Sequence, residues 1–214
     1  VVFKYHRFGE NAYPSTNIRL AQFEAQLEYL AANDYRIWPL PRILRHLDSS
    51  EPLPDRVVAI TVDDAYLSTY TQAYPRLRER GWPFTVFVST ESVDRGTPGY
   101  MSWEQMREMQ RRGATFANHS ASHAHLHRRR EGESQIEWRM RVREDIAHAQ
   151  HRLQTELGPE TNTRPSMFAY PYGEYDTALA DLVRKLGYIG FGQQSGALGE
   201  QADRRSLPRY PVSE

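Results

Sequence analysis

The chain has 214 residues, a formal net charge of +0 and a pI near 7.3, so neither a nucleic-acid surface nor an anionic membrane surface is indicated. It contains no cysteine, which excludes a disulfide framework, a thiolate metal site and a cysteine nucleophile. No apolar run approaches the roughly 20 residues that a membrane-spanning helix needs.

Strands and helices are predicted to alternate along the chain. Short runs rich in β-branched and aromatic residues predict strands, in chain order at 1–5, 35–38, 57–62, 84–88, 114–117, 167–169 and 188–191, with a last extended segment near 207–210. Apolar residues at helical spacing and glycine stops predict helices, at about 20–30, 41–47, 67–80, 102–112, 142–157 and 176–186. The segment 89–101 is predicted as a loop. Because no repeat or linker interrupts the pattern, we expect one domain over residues 1–214.

The alternation predicts an α/β fold with a parallel sheet, either a barrel or an open doubly wound sheet. Five polar candidates, His6, Asp63, Asp64, His119 and Tyr172, each follow the C-terminal end of a predicted strand. In a (β/α) barrel those strand ends converge on one mouth, whereas an open sheet has no reason to gather all of them. The sequence therefore favours a barrel of seven or eight strands.

Two short motifs form a candidate metal site. Asp63 and Asp64 end an apolar strand, and His119 and His123 stand at i and i+4. On a helical turn two such histidines lie on one face, and with one aspartate they complete the three protein ligands of a zinc-type catalytic site. The other carboxylate can then accept a proton from a water activated by the metal. Either motif alone is more often chance or a solvated surface, but their combination at strand ends favours a metallohydrolase.

The ligand set predicts one divalent metal ion as the cofactor. Two imidazoles and a carboxylate suit zinc, and cobalt, nickel, manganese or iron are alternatives. No Walker A loop or GxGxxG motif is present, so a nucleotide cofactor is not expected.

Three segments resemble the motifs of the polysaccharide deacetylases, the NodB-homology domain or carbohydrate esterase family 4. They stand in the family's order, as Thr61-Val62-Asp63-Asp64, His119-Ser120-Ala121-Ser122-His123 and Ala169-Tyr170-Pro171-Tyr172-Gly173. The resemblance implies a distorted (β/α) barrel and hydrolysis of an N-acetyl group on a hexosamine polymer. It also implies roles for five residues: Asp63 as general base, Asp64, His119 and His123 as metal ligands, and the Tyr172 backbone N–H as an oxyanion donor.

Two positions depart from the family pattern. The arginine that pairs with the base in the family is Ala169 here, and the motif that supplies the general acid corresponds to Leu207-Pro208-Arg209. Tyr5-His6 and the segment 168–173 look like the deacetylases of poly-β-1,6-N-acetylglucosamine from biofilm systems, in which an N-terminal histidine can replace the missing acid. The resemblance thus implies His6 as the general acid. From its place at the last strand end, we expect Arg209 to pair with Asp63.

The expected partner is a polysaccharide, and the oligomeric state is left open. Tyr66, Trp103 and Tyr175 lie in loops near strand ends and, with Pro171, are candidate substrate contacts, although core packing is equally plausible for each ring. By resemblance we expect an exported protein of the periplasm or cell surface, and a start at Val1 rather than methionine fits a removed signal. Two alternatives remain: a catalytically weak or inactive glycan-binding relative, and an esterase for O-acetyl groups on a glycan such as acetyl-xylan.

Overall fold

The computed structural model describes residues 1–49, 53–161, 165–199 and 201–214. The strands in these ranges are β1 Val2–Tyr5, β2 Arg7–Phe8, β3 Asn17–Ile18, β4 Arg36–Ile37, β5 Val57–Asp63, β6 Thr85–Val88, β7 Thr115–Asn118, β8 Ser166–Ala169, β9 Tyr188–Phe191 and β10 Tyr210–Pro211. The α-helices are α1 Leu20–Ala32, α2 Leu40–Leu47, α3 Tyr74–Glu79, α4 Thr90–Asp94, α5 Trp103–Gln110, α6 Gln135–Leu157 and α7 Thr177–Lys185.

The main sheet is parallel and curves into a distorted barrel. Its strand order is β10-β1-β5-β6-β7-β8-β9, with β4 paired to the start of β5, while β2 and β3 form a separate pair. The last extended segment bridges both edges, because Leu207 pairs with Phe191 of β9 and Tyr210 pairs with Phe3 of β1. The predicted α/β barrel is therefore confirmed, although β7 and β8 share only one registered pair among the described residues.

Side chains alternate between the interior of the barrel and its outer face. The interior cluster joins inward residues of the strands to one face of α2, which covers the barrel near the start of β5. Its members include Val2, Ala59, Phe87, Ala117, Met167, Ala169, Phe191, Leu207, Leu40, Ile43 and Leu44. The outward residues of β5 and β6 pack against α1, α3 and α5, and those of β8 and β9 against α6 and α7. Burial of each large apolar side chain stabilises the fold by about 1.5–3 kcal/mol relative to its exposure. The packed barrel thereby holds the ends of its strands in fixed positions.

Capping residues explain where two helices begin. Ser102 and Gln105 form the predicted capping box at the start of α5, with Gln105 N–H donating to Ser102 Oγ at 3.2 Å. A second capping box, Ser134 with Glu137, starts α6 at Gln135, which is earlier than the predicted 142. Of the three large apolar residues in the first two turns of α6, only Trp138 lies on the buried face, so the apolar periodicity is irregular there.

Other boundaries differ from the prediction. The predicted helix 67–80 contains a π-helical turn, Thr69–Ala73, before α3 begins. The predicted loop 89–101 contains α4, and the predicted strand 35–38 is reduced to β4. Among the described residues, none of the helices combines the length and the apolar character needed to cross a membrane.

Candidate active site

The two aspartates at the end of β5 face the barrel mouth for different reasons. Asp63 lies an even number of residues from the inward-facing Ala59, so strand alternation directs it inward, and it is fully buried. A continued strand would turn Asp64 outward. Instead, Asp64 and Ala65 adopt the left-handed conformation, with φ of 73° and 63°. This turn brings both carboxylates to one site.

Asp64, His119 and His123 form the group of three potential metal ligands found in the described part of the chain. Their ligand atoms all lie within 4.8 Å of one another. His119 Nε2 lies 3.2 Å and His123 Nε2 3.0 Å from Asp64 Oδ1. Neither contact has the geometry of a hydrogen bond, so this buried oxygen has no hydrogen-bond partner among the described residues. Because an unsatisfied buried carboxylate oxygen is costly, a cation shared by the three side chains fits the site.

The backbone of β8 orients the first histidine. His119 Nδ1 lies 2.8 Å from the carbonyl oxygen of Ala169. Since a carbonyl only accepts, Nδ1 carries the proton, and the lone pair of Nε2 faces Asp64. Ala169, which stands where the resembling family has an arginine, therefore contributes to the site through its backbone.

The segment between the two histidines is not helical, and the predicted helical turn is wrong. Ser120 and His123 adopt positive φ values of 68° and 52°. Side chains supply the local hydrogen bonds: Ser120 N–H donates to Asn118 Oδ1, and His123 N–H donates to Ser120 Oγ, both at 2.9 Å. The histidines meet because of this loop rather than because of helical spacing.

Helix α6 anchors the histidine loop through two residues that the sequence patterns did not predict. Asp145 accepts the backbone N–H of Ala121 at 2.8 Å and the hydroxyl of Ser122 at 2.5 Å. Asn118 is fully buried, and its side-chain amide donates to the carbonyl of Ile146 at 2.9 Å. The one sequence signal is that Asp145 borders the apolar stripe of α6, where a carboxylate needs a partner.

Asp145→Ala is expected to weaken metal binding by about 10- to 100-fold, the effect typical of removing a group that orients a ligand. The loop loses both hydrogen bonds at Ala121 and Ser122, so His123 is less well positioned. Competition with a chromophoric chelator measures the change in affinity. Glu144→Ala, at the exposed neighbouring position of α6, is the matched control. Equal metal affinities in Asp145→Ala and Glu144→Ala would contradict the anchoring role.

Asp63 forms a buried bidentate ion pair with Arg209. The guanidinium Nη1 and Nη2 lie 2.6 and 2.8 Å from the two carboxylate oxygens, and both side chains are fully buried. Arg209 Nε also donates to the carbonyl of Gly192 at 3.0 Å. Burial raises the pKa of the Asp63 carboxyl, but the charge of Arg209 outweighs burial and lowers the pKa to about 2. Asp63 is therefore ionised and can accept a proton.

A cleft of about 450 Å³ opens at the barrel mouth. It is lined by two of the three potential metal ligands, Asp64 and His123, and by three other predicted site residues, His6, Tyr66 and Tyr172. The lining residues are Lys4, His6, Ser15, Thr16, Asp64, Tyr66, Tyr100, His123, Tyr172, Gln193 and Pro211. The cleft is large enough for part of a sugar chain, and it exposes Asp64 and His123 to a ligand.

Two basic side chains enter this cleft from β1 and the residue after it. His6 Nε2 lies 4.0 Å from Asp64 Oδ2, and burial lowers the pKa of His6 to about 4 although Asp63 and Asp64 oppose the shift. Only 3% of the surface of Lys4 is exposed, and the sequence patterns did not predict that this residue lines the cleft. Burial lowers the pKa of Lys4 to about 8, again against the charge of Asp63. At neutral pH His6 is neutral and Lys4 is largely charged.

Tyr172 occupies a tight turn beside the second histidine. Its φ is 59°, and its half-exposed ring lies 4.5 Å from the ring of His123 and stacks on His125 at 4.3 Å. Glu174 holds His125 through a contact of 2.5 Å to Nδ1. Pro171, in the same turn, is buried. The turn thus places the ring of Tyr172 at the edge of the metal-ligand group.

Three predicted substrate contacts, Trp103, Tyr175 and the buried Pro171, do not line the cleft. Trp103 packs at the start of α5, where its Nε1 donates to Asp94 Oδ1 at 2.9 Å. Tyr175 stacks on Tyr170 at 4.8 Å and joins the outer cluster beneath α6 and α7. Both rings therefore contribute to packing, the alternative that the sequence left open.

Backbone strain is concentrated at this site. Eight non-glycine residues have positive φ in the described ranges, and five of them belong to or adjoin the site: Asp64, Ala65, Ser120, His123 and Tyr172. Such conformations cost of order 1–3 kcal/mol each and persist where surrounding structure enforces them. The concentration is typical of a functional site.

Solved structures of deacetylases have the same fold. A Streptococcus pyogenes deacetylase, PplD, in complex with acetate superposes with a TM-score of 0.85 at 22% identity, covering 99% of this chain and 91% of that one. IcaB from Ammonifex degensii superposes with a TM-score of 0.83 at 27% identity, covering 100% and 91%. These neighbours define the fold class of the barrel.

The sequence comparison establishes the family. The family described as Polysaccharide deacetylase matches residues 50–191, and the chain belongs to this family. A curated relative is the poly-β-1,6-N-acetyl-D-glucosamine N-deacetylase of Escherichia coli (strain K12), 27% identical over 92% of this chain. The chain spans only 34% of the length of that relative. The Staphylococcus epidermidis protein of the same name is 26% identical over 90% of this chain and 66% of its own length.

Proposed function

We propose that this chain is a metal-dependent hydrolase that removes N-acetyl groups from a hexosamine polysaccharide of the poly-N-acetylglucosamine type. The observation that carries the proposal is the convergence of Asp64, His119 and His123 beside the ionised Asp63, next to a cleft that Asp64 and His123 line in a polysaccharide deacetylase fold. The name shared by several relatives supports the choice of an N-acetylated glucosamine polymer.

The donor set fits one divalent cation, and zinc is our first choice. Asp64 offers an oxygen that lacks a hydrogen bond, and His119 presents an oriented Nε2. Cobalt, nickel, manganese and iron accept the same nitrogen and oxygen ligands. When bound, such an ion polarises the acyl group and makes water more acidic. Asp64, His119 and His123 would hold it.

Asp63 is proposed as the general base. Its carboxylate form is stabilised by the positive charge of the buried Arg209 guanidinium, and the residue adjoins the proposed ligand Asp64. A carboxylate held in this way can accept the proton of the attacking water. Arg209 contacts Asp63 rather than the cleft, so we assign it a positioning role: it fixes the orientation of the base.

His6 and Tyr172, which both line the cleft, complete the proposed machinery. His6 is proposed to protonate the leaving amine, since its Nε2 faces Asp64 at 4.0 Å. Because its ring is neutral at rest, His6 must gain that proton during the reaction, and in the proposed scheme its source is the proton that Asp63 takes from the attacking water. The backbone N–H of Tyr172 is proposed to donate to the developing oxyanion, and Pro171 supports its turn. Tyr66 is the proposed substrate contact within the cleft.

The proposed substrate also suggests a location. A polysaccharide of the cell surface lies outside the cytoplasm, so we propose that the chain acts in the periplasm or at the cell surface. Nothing in the proposed chemistry needs a nucleotide or a nucleic acid.

Acetate release from β-1,6-linked N-acetylglucosamine oligomers tests the proposal. We expect release from metal-loaded protein and none in the presence of chelator, with recovery when zinc or another of the five metals is restored. Asp63→Asn protein, loaded with the same metal, is the inactive control.

Two outcomes would overturn the proposal in favour of its alternatives. Release from acetyl-xylan without release from the N-acetylated oligomers would indicate an O-acetyl esterase. Binding of the oligomers without acetate release, with any of the metals, would indicate a glycan-binding relative.

A further inference from the structure

An exposed tyrosine stands near the cleft in a strained backbone conformation. Tyr13 is 60% exposed and has a φ of 63°, which is rare for a bulky residue. Its carbonyl accepts the backbone N–H groups of Thr16 and Asn17, both at 2.9 Å. The turn therefore holds an aromatic side chain in solvent, where the fold gains little from it.

A cation fixes the ring of Tyr13 relative to the cleft. The guanidinium of Arg7 lies 4.5 Å from the centroid of Tyr13 and 3.4 Å from that of Tyr66. Arg7 is held in turn by Glu10 at 2.7 Å, and Glu10 accepts the hydroxyl of Ser68 at 2.7 Å. One guanidinium thus separates the exposed ring from a ring that lines the cleft.

The turn that carries Tyr13 also forms part of the cleft wall. Ser15 and Thr16 line the cleft directly, and Tyr66 contacts Tyr100 with ring centroids 4.9 Å apart. A row of stacked groups therefore leads from the ring of Tyr66 in the cleft, over the guanidinium of Arg7, to the exposed ring of Tyr13. Sugar rings present apolar C–H faces that pack on aromatic rings.

We propose that Tyr13 forms an outer subsite for the polysaccharide, stacking on a sugar ring away from the unit that loses its acetyl group. The ligand class, a β-linked hexosamine polymer, rests on the proposed function. Because the ring is fixed before binding, little conformational entropy is lost when the sugar stacks on it.

The proposal predicts a dependence on chain length. Tyr13→Asn removes the ring and keeps the turn, since asparagine tolerates positive φ, whereas Tyr13→Phe keeps the ring. Tyr29→Ala is the matched control, because Tyr29 is 59% exposed on α1 and does not line the cleft. Dissociation constants for β-1,6-linked N-acetylglucosamine oligomers of two to six units are measured by calorimetry with metal-loaded Asp63→Asn protein as the background.

We expect Tyr13→Asn to weaken binding of the long oligomers about tenfold, the size of one aromatic stacking contact, and to leave the shortest unchanged. Tyr13→Phe and Tyr29→Ala should match the background at every length. Equal weakening at all lengths, no weakening by Tyr13→Asn, or the same effect from Tyr29→Ala would overturn the subsite. If the parent protein releases acetate but Tyr13→Asn binds normally, only the subsite is wrong. If the protein neither binds nor deacetylates the oligomers, the proposed function fails and the subsite fails with it.

Discussion

Asp64→Asn is expected to abolish stable metal binding and to lower acetate release by about 10³-fold or more, since the metal would supply the activation of water. Asparagine keeps the shape of the side chain but loses the charge that balances a divalent ion. Only the two neutral imidazoles of His119 and His123 would remain as ligands. Metal content after dialysis and initial rates of acetate release measure the two effects.

The same substitution should act on stability in a way that a general folding defect would not. Without metal, the wild-type protein buries a carboxylate oxygen that lacks a hydrogen bond, so Asp64→Asn should unfold at an equal or higher temperature. Metal at about 100 times its dissociation constant should stabilise the wild type by about 2.7 kcal/mol and leave the variant unchanged. Asp55→Asn, at an exposed aspartate, is the control. A metal-dependent rise in the melting temperature of Asp64→Asn would contradict the ligand assignment.

The Asp63–Arg209 pair carries the second large effect. Arg209→Met is expected to destabilise the protein by about 3–5 kcal/mol, because it leaves the carboxylate of Asp63 buried without a partner. Arg209→Lys should recover only part of this loss, since an ammonium cannot reproduce the bidentate contact. Asp63→Asn should lower acetate release by about 10²- to 10⁴-fold, the usual contribution of a general base, while the metal remains bound.

A double-mutant cycle separates stability from catalysis at this pair. Asp63→Asn combined with Arg209→Met removes both buried charges, so the double variant should be more stable than Arg209→Met alone. It should nevertheless remain inactive, because the proposed base is absent. Urea denaturation gives the free energies of unfolding for the four proteins. The proposed charge balance would be contradicted if Arg209→Met had the same free energy of unfolding as the wild type. It would also be contradicted if the double variant were less stable than both single variants.

Much of the barrel could be predicted from the sequence because its signals are local. The β-branched run before Asp63 marked β5, and alternation of strands and helices indicated parallel neighbours. The order of the motifs was enough to expect that His119 and Asp64 share one mouth. The predicted ends of strands and helices were less accurate where apolar periodicity does not determine them. Examples are the capping box at Ser134 and the π-helical turn before α3.

The arrangement of side chains in the site, unlike the strands and helices, depends mainly on contacts between residues that are distant in the chain. The expectation that Arg209 pairs with Asp63 came from its place near the last strand end, and the structure places the two side chains in direct contact. The only sequence signal at Asp145 is its place beside the apolar stripe of α6, and it was not predictive because a carboxylate on a long helix is ordinarily solvated. The patterns gave the same weight to Trp103, Tyr175 and Tyr66, of which only Tyr66 lies in the cleft.

By itself, the sequence determined the α/β class, the strand ends and the residue types that can hold a metal, because these follow from short-range periodicity and from side-chain chemistry. The tertiary structure alone decided how those side chains meet. The left-handed turn at Asp64 and the irregular loop before His123 are strained conformations that no local preference favours. The loop persists because α6 holds it through Asp145. The turn that begins at Asp64 is held by backbone hydrogen bonds to Phe87 and Met101, and all three partners lie far away in the chain. The spacing of the two histidines suggested a helix, whereas packing against these distant elements produced a loop.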